Sequence, residues 1–315
     1  MGHVVIGVDL GGTNLRTAIL SPEGELLDRL KEPTHAVDGW MKVVARLTEN
    51  IKRLKEAAEQ KGHKVDAVGV GAPGVILGEK GIVVKSPNFP DWNNVPLKEQ
   101  LEKVLNVPVV IENDANAAAL GEQWRGAGKG ISSMILLTLG TGVGGGIILD
   151  NKIWHGADGM AGEIGHMTLV PDGRHCSCGN DGCLEMYASA RGIVQSYREA
   201  SGRPANEAAG QVTSEQVYEA ARAGDKTAIK VMESMGRMLG IGIASLINIF
   251  NPERIVIGGG VKDGWPLFID ATRREIMKRA FEVPARRTEI MPSQLGDDSG
   301  MIGAAAVALE LARAH

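Results

Sequence analysis

Twice in 315 residues the chain repeats one short pattern: an apolar strand, a glycine-rich turn, a second strand and a tight reversal. Residues 4–24 begin V-V-I-G-V-D-L-G-G-T, continue through the strand Thr17 to Leu20, and reverse at Ser21-Pro22-Glu23-Gly24. Residues 134–151 read M-I-L-L-T-L-G-T-G-V-G-G-G-I-I-L, then reverse at Asp150-Asn151. Short apolar runs bounded by Gly and Pro read as strands. The recurrence therefore points to two related α/β domains facing one another, and a length of 315 residues suits two cores.

Between the hairpins, Asp38 reads as the cap of a helix running to about Lys61, with Trp40, Val44, Leu47, Ile51 and Leu54 on one face. A strand from Val65 to Gly71 follows, then a loop through Pro87, Asn88 and Pro90. A helix from Leu97 to Leu105 leads to the strand Val107 to Glu112. After the second hairpin come helices from Ser214 to Ala223 and Asp225 to Phe250, the strand Arg254 to Gly258, a helix through Ile276, and a last helix from about Ser299. Alternating strands and helices make an α/β fold. With Asn113 as hinge, the expected domains are 1–112 and 113–298, the helix 299–315 packing back on the first.

A net charge of −4 without a Lys/Arg run argues against nucleic acid as a partner, and no apolar stretch is long enough for a membrane span. Small-molecule chemistry is the default. All three cysteines, Cys176, Cys178 and Cys183, lie between Gly165 and Glu185. Three thiolates and one imidazole complete a tetrahedral zinc shell, with His166 and His175 both at hand. An odd cysteine count and the lack of a signal peptide set the expectation of a reducing cytoplasm.

No G-x-x-x-x-G-K-[ST] loop is present. Gly140 to Gly145 matches G-x-G-x-x-G, but a strand follows it, so the dinucleotide reading fails. A glycine turn between strands offers converging N–H groups to a phosphate, with Thr13, Thr138 and Thr141 as further donors. Asp9 beside such a turn implies magnesium held through water. At Gly258-Gly259-Gly260 bare backbone invites an adenine or ribose, or else close helix–strand packing.

Glu112-Asn113-Asp114 ends a strand, where sites in α/β sheets lie. Asp114 is placed to take a hydroxyl proton during attack on phosphorus, with Asn113 as donor and acceptor to the same substrate. The competing role for Asp114 is the cap of the helix Ala115 to Trp124. Glu163, His166 and Glu185 flank the cysteines, and carboxylates paired with vicinal hydroxyls are a usual reader of sugars.

D-L-G-G-T-N-L-R (Asp9 to Arg16), E-N-D-A-N-A-A, L-G-T-G-V-G-G-G, G-E-I-G-H and C-x-C-G-x-x-G-C-x-E stand in order along the chain. Together they resemble the ROK family of sugar kinases, and within it the ATP-dependent bacterial glucokinases, over essentially the whole length. The resemblance implies the actin-like ATPase (ribonuclease H-like) fold, two α/β domains closing over a cleft. It implies Asp114 as the base on a sugar 6-hydroxyl, with Asn88, Asn113, Glu163, His166 and Glu185 holding hydroxyls. Zinc then takes His166, Cys176, Cys178 and Cys183, and His175 becomes a bystander. ATP and magnesium fall to Asp9, Gly11, Gly12, Thr13, Asn14, Thr138, Gly140, Thr141, Gly142 and Gly258 to Gly260. The expected activity is phosphorylation of a hexose, glucose favoured over fructose, mannose, N-acetylglucosamine and N-acetylmannosamine, in a cytoplasmic, glycolytic homodimer. DNA-binding repressors share the family, but the strand opening at Val4 leaves no space before it for a helix-turn-helix segment.

Overall fold

The computed structural model describes residues 2–78, 80–86, 88–202 and 212–314. The chain divides into two compact units, Met1–Ser132 with Gly146–Gly162 and Gln294–His315, and Ser133–Gly145 with Glu163–Ser293.

The first unit begins with β1 (Gly2–Leu10), β2 (Asn14–Leu20) and β3 (Leu26–Pro33), followed by α1 (Trp40–Gln60) and β4 (His63–Ala72). A small meander, β5 (Val75–Leu77), β6 (Ile82–Ser86) and β7 (Phe89–Val95), precedes α2 (Leu97–Leu105), β8 (Val109–Asn113) and α3 (Asp114–Arg125). The sheet order is β3-β2-β1-β4-β8, with β1, β4 and β8 parallel. The apolar face of α1, Val43, Leu47, Ile51 and Leu54, packs with α2 and the stacked pair Phe89 and Trp92 on one side of this sheet.

Two local expectations change. Asp38 lies in a short 3-10 turn, and Gly39 precedes α1 instead, its φ of 93° being open to glycine. The loop expected through Pro90 is the meander hairpin β6–β7, in which Asn88 is exposed at the turn; Pro87 lies outside the described residues.

Strands β9 (Met134–Leu139), β10 (Val143–Leu149) and β11 (Lys152–Ile153) follow, then α4 (Glu185–Ala188), α5 (Ala190–Ser201), α6 (Ser214–Arg222) and α7 (Lys226–Phe250). Next come β12 (Arg254–Gly258), α8 (Trp265–Arg279), α9 (Glu282–Arg287), β13 (Glu289–Pro292) and α10 (Ser299–Ala314). The second sheet runs β11-β10-β9-β12-β13, with β12 parallel to both β9 and β13. Helix α7 starts under the side chain of Asp225, which accepts the N–H groups of Thr227 and Ala228, and packs along α8.

The last helix belongs to the first unit, where it covers the sheet face opposite α1 and packs on α3. A β-carbon on Gly303 would sit 1.5 Å from the carbonyl oxygen of Ala117, so α10 and α3 meet backbone to backbone. That packing keeps α3 in the first unit, and the division therefore differs from a boundary after Glu112.

Candidate functional site

In the first unit the strand register sets Asp9 opposite Gly71, and Gly71 opposite Glu112. The acidic groups thus share the carboxyl-terminal edge of the parallel strands, where ligands bind in α/β sheets. Asp9 is mostly buried and receives Arg16 Nη1 at 3.1 Å, while Arg16 Nη2 reaches Asp297 at 2.6 Å. Burial pushes the Asp9 carboxyl up to about 6, Arg16 opposes the rise, and the charge of Asp114 reinforces it. Two carboxylates that repel one another at a strand edge suit a divalent cation.

The turn after β1 is held from both sides. Gly11 N–H donates to Asn14 O at 3.0 Å, and the Thr34 hydroxyl donates to Gly11 O at 2.6 Å. Thr34 N–H donates to Thr13 O at 2.9 Å. Gly12 lies beside Asn88, within 3.1 Å of its Cβ when a β-carbon is built on the glycine. Asp9, the Gly11–Asn14 turn and Asn88 are thus neighbours within one unit.

At the end of β8 the capping question is answered by Asn113. Its Oδ1 accepts the N–H groups of Ala115 and Asn116 at 2.9 and 3.2 Å, and its Nδ2 donates to Gly74 O at 3.2 Å. Such a cap contributes about 1 kcal/mol. Asp114 is therefore not the cap. It occupies the first helical position, where the helix N-terminus favours a negative charge.

Glu112 is buried and fully engaged. It accepts Asn113 N–H at 2.8 Å and Asn116 Nδ2 at 3.0 Å, and meets His155 Nε2 at 2.8 Å. Sequence reading missed His155, since 43 residues separate it from Glu112.

In the second unit, His166, Cys176, Cys178 and Cys183 offer ligand atoms that all lie within 4.8 Å of one another. Cys178 Sγ and Cys183 Sγ are 3.7 Å apart, and Cys176 Sγ is 3.6 Å from His166 Nδ1. Bonds of roughly 2.3 Å to a tetrahedral ion put sulfurs about 3.8 Å apart, so this donor set fits zinc. Burial pushes the Cys183 thiol up to about 12, and a cation would be needed to hold it as thiolate. His175 is not in the cluster; its Nδ1 pairs with Asp181 at 2.9 Å. The other nitrogen of His166, Nε2, lies 3.8 Å from Glu163.

The same unit carries the second glycine turn. Gly140 N–H donates to Gly142 O at 2.9 Å, and Thr138 sits opposite Gly258 across β9 and β12. Gly258 closes β12 and Gly260 opens a short 3-10 turn into α8. A β-carbon on Gly142 would lie 2.4 Å from Glu185 Oε2, so glycine there admits the carboxylate to the turn. Beside Thr141 opens a cavity of about 850 Å³, lined also by Arg191, Gln195, Thr213 and Glu215. Each unit thus gathers its own share of the expected site residues.

Comparison with known proteins adds to this geometry. The model of the ROK family matches residues 5–311. The chain is 40% identical to a glucokinase of Halalkalibacterium halodurans, covering 95% of this chain and 92% of that protein. It is 37% identical to a glucokinase of Thermotoga maritima, covering 97% of each. Among solved structures, a ROK-family glucokinase from Streptomyces griseus in complex with glucose and AMPPNP aligns with a TM-score of 0.79 at 36% identity, covering 98% of this chain and 99% of that one.

Proposed function

This chain belongs to the ROK family, and from that premise we propose that it is a glucokinase, moving the γ-phosphoryl group of ATP to the 6-hydroxyl of glucose. The observation that carries the reading is the placement of Asp114 at the first turn of α3, capped by Asn113 and electrostatically coupled to Asp9. Asp114 accepts the hydroxyl proton as the sugar oxygen bonds to phosphorus and ADP departs with the electron pair. By resemblance to the family, Asn88, Asn113, Glu163, His166 and Glu185 hold the sugar hydroxyls.

The glycine turns at Gly11–Asn14 and Thr138–Gly142 present N–H groups to the phosphates, and the cavity beside Thr141 has the volume of a nucleoside site. Gly258 to Gly260 flank that nucleotide. Magnesium bound near Asp9 supplies charge neutralisation on the phosphates. Zinc on His166, Cys176, Cys178 and Cys183 is structural, a closed shell that orders the segment carrying Glu163 and Glu185.

We read the enzyme further as a cytoplasmic, glycolytic homodimer without a nucleic-acid partner. The net charge of −4 supports the last point, and the exposed side chains of Ile249, Phe281 and Val283 offer apolar surface to a second copy. No described helix is long and apolar enough to cross a membrane.

A coupled assay of ADP release, run with magnesium over glucose, mannose, fructose, N-acetylglucosamine and N-acetylmannosamine, tests the reading. Glucose should give the highest kcat/KM. Preference for an N-acetylated sugar, or no turnover with any, overturns it.

A further inference from the structure

Glu185 is the meeting point of two parts of the proposed site, and Arg191, at the edge of the cavity beside Thr141, ties them together. Its side chain is only 9% exposed, and both oxygens are engaged. Oε2 accepts Val143 N–H at 3.0 Å, and Oε1 accepts Arg191 Nη2 at 3.2 Å. The Nε of Arg191 donates in turn to Thr141 O at 3.0 Å, and the preceding residue, Ala190, donates its N–H to Gly140 O at 2.9 Å. Three residues of the turn, Gly140, Thr141 and Val143, are thus hydrogen-bonded to the segment 185–191, and a β-carbon on Gly142 would collide with the Glu185 carboxylate.

We propose that Arg191 is a positioning residue that couples sugar binding at Glu185 to the shape of the Gly140–Val143 phosphate turn. The inference rests on the reading of Glu185 as a sugar contact and of the turn as a phosphate contact.

Glycine-rich backbone has little intrinsic shape preference, so external tethers decide which way its N–H groups point. Arg191 supplies a rigid fork, one arm on a carboxylate and the other on a turn carbonyl, a geometry that a lysine ammonium does not reproduce. A carboxylate has room for about four hydrogen bonds, so a sugar hydroxyl joins Glu185 without displacing Val143 or Arg191. The hydroxyl then fixes the carboxylate, the carboxylate fixes the fork, and the fork fixes Thr141. Donor phosphates meet a preformed turn once sugar is bound and a looser one without it. Arg191 is 60% exposed along its side chain, so it is not a core element whose loss removes the fold.

The test is calorimetric titration of the intact protein with AMPPNP, without and with saturating glucose, for wild type, Arg191→Met and Arg191→Lys. Glucose should tighten AMPPNP binding to wild type by at least about fivefold, and in Arg191→Met by less than about twofold, while glucose alone binds the variant within about threefold of wild type. Because Arg191 also lines the cavity beside Thr141, the readout is the ratio of AMPPNP affinities with and without glucose and not the affinity of AMPPNP alone. Arg191→Lys should fall between, and it carries the measurement if the Met variant is unfolded by thermal scan. Undiminished coupling in Arg191→Met, no coupling in wild type, or loss of glucose binding itself in the variant overturns the proposal. Failure of wild type to bind glucose at all strikes the activity reading instead, and is seen in the first titration.

Discussion

The carboxylate of Glu112 and the imidazole of His155 meet at 2.8 Å directly behind the residue that caps α3. The hydrogen bond to Glu112 raises the His155 pKa above its ordinary 6.5, and burial only partly opposes it. A raised folded-state pKa contributes stability in full below the unfolded value of 6.5, and loses it as pH climbs through the folded value. Urea unfolding of wild type and His155→Gln should therefore differ most below pH 6.5, and the difference should shrink as pH rises through the raised folded value. A gap that stays constant across that range removes the charge from the pair's role.

Asp114 and Asn113 separate chemistry from capping. Asp114→Asn should lower kcat by about a hundredfold to ten-thousandfold while glucose still binds, because an amide cannot take the hydroxyl proton. Asn113→Ala should instead cost about 0.5–2 kcal/mol of stability by chemical denaturation, and Asn113→Asp should keep most of the cap. Near-normal turnover in Asp114→Asn would remove the base.

The zinc site is expected to act through the loop it orders. Metal analysis should find about one zinc per chain. Cys178→Ser should weaken glucose binding and turnover on the order of a hundredfold, since Glu163 and Glu185 lose their fixed positions, yet leave AMPPNP binding measurable. A fully active zinc-free preparation argues for ordinary packing of the three thiols.

Asp9 sets a second pH dependence, governed by burial. Its carboxyl titrates near 6 in the folded chain against 3.8 when free. Its contribution to stability is complete below 3.8 and is lost as pH rises to about 6 and a charge is forced into a buried site. Asp9→Asn should therefore gain thermal stability over wild type in metal-free buffer as pH rises from about 4 to 7. Magnesium should stabilise wild type and not the variant at neutral pH. Parallel stability profiles contradict the assignment.

The glycine hairpins, α2 and the clustering of His166 with the three cysteines were legible in sequence because each depends on local spacing. Helix α2 begins at Leu97 and ends at Leu105 as its periodicity requires. Strand β3, L-L-D-R-L-K-E-P, was not legible; it is an edge strand whose alternate faces are exposed, and its charges imitate a loop. The cap of α3, weighed in the sequence as the competing role of Asp114, falls to Asn113 one residue earlier; the two are equivalent cap chemistry, and only backbone geometry distinguishes them. Arg191 and His155 were invisible for another reason. Their partners are fixed by tertiary structure, and neither has a spacing signature. The return of the last helix to the first unit was expected, but the assignment of α3 and of Gly146–Gly162 to that unit was not, because no local pattern marks either crossing.

That return has a consequence for the making of the protein. Strands β1 and β4 are translated early, yet the face formed by Val5, Ala18, Leu20 and Ala67 is covered by Met301, Ala305 and Ala308 of α10. At about 5–20 residues per second, the ribosome spends roughly ten to thirty seconds on the intervening second unit. Through that interval the second unit has all of its sequence at hand in growing order, while the first waits, half-roofed, for its final helix. The nascent chain is thus most vulnerable to aggregation on its oldest part, and a chaperone that shields small apolar strands near the amino terminus would serve it best.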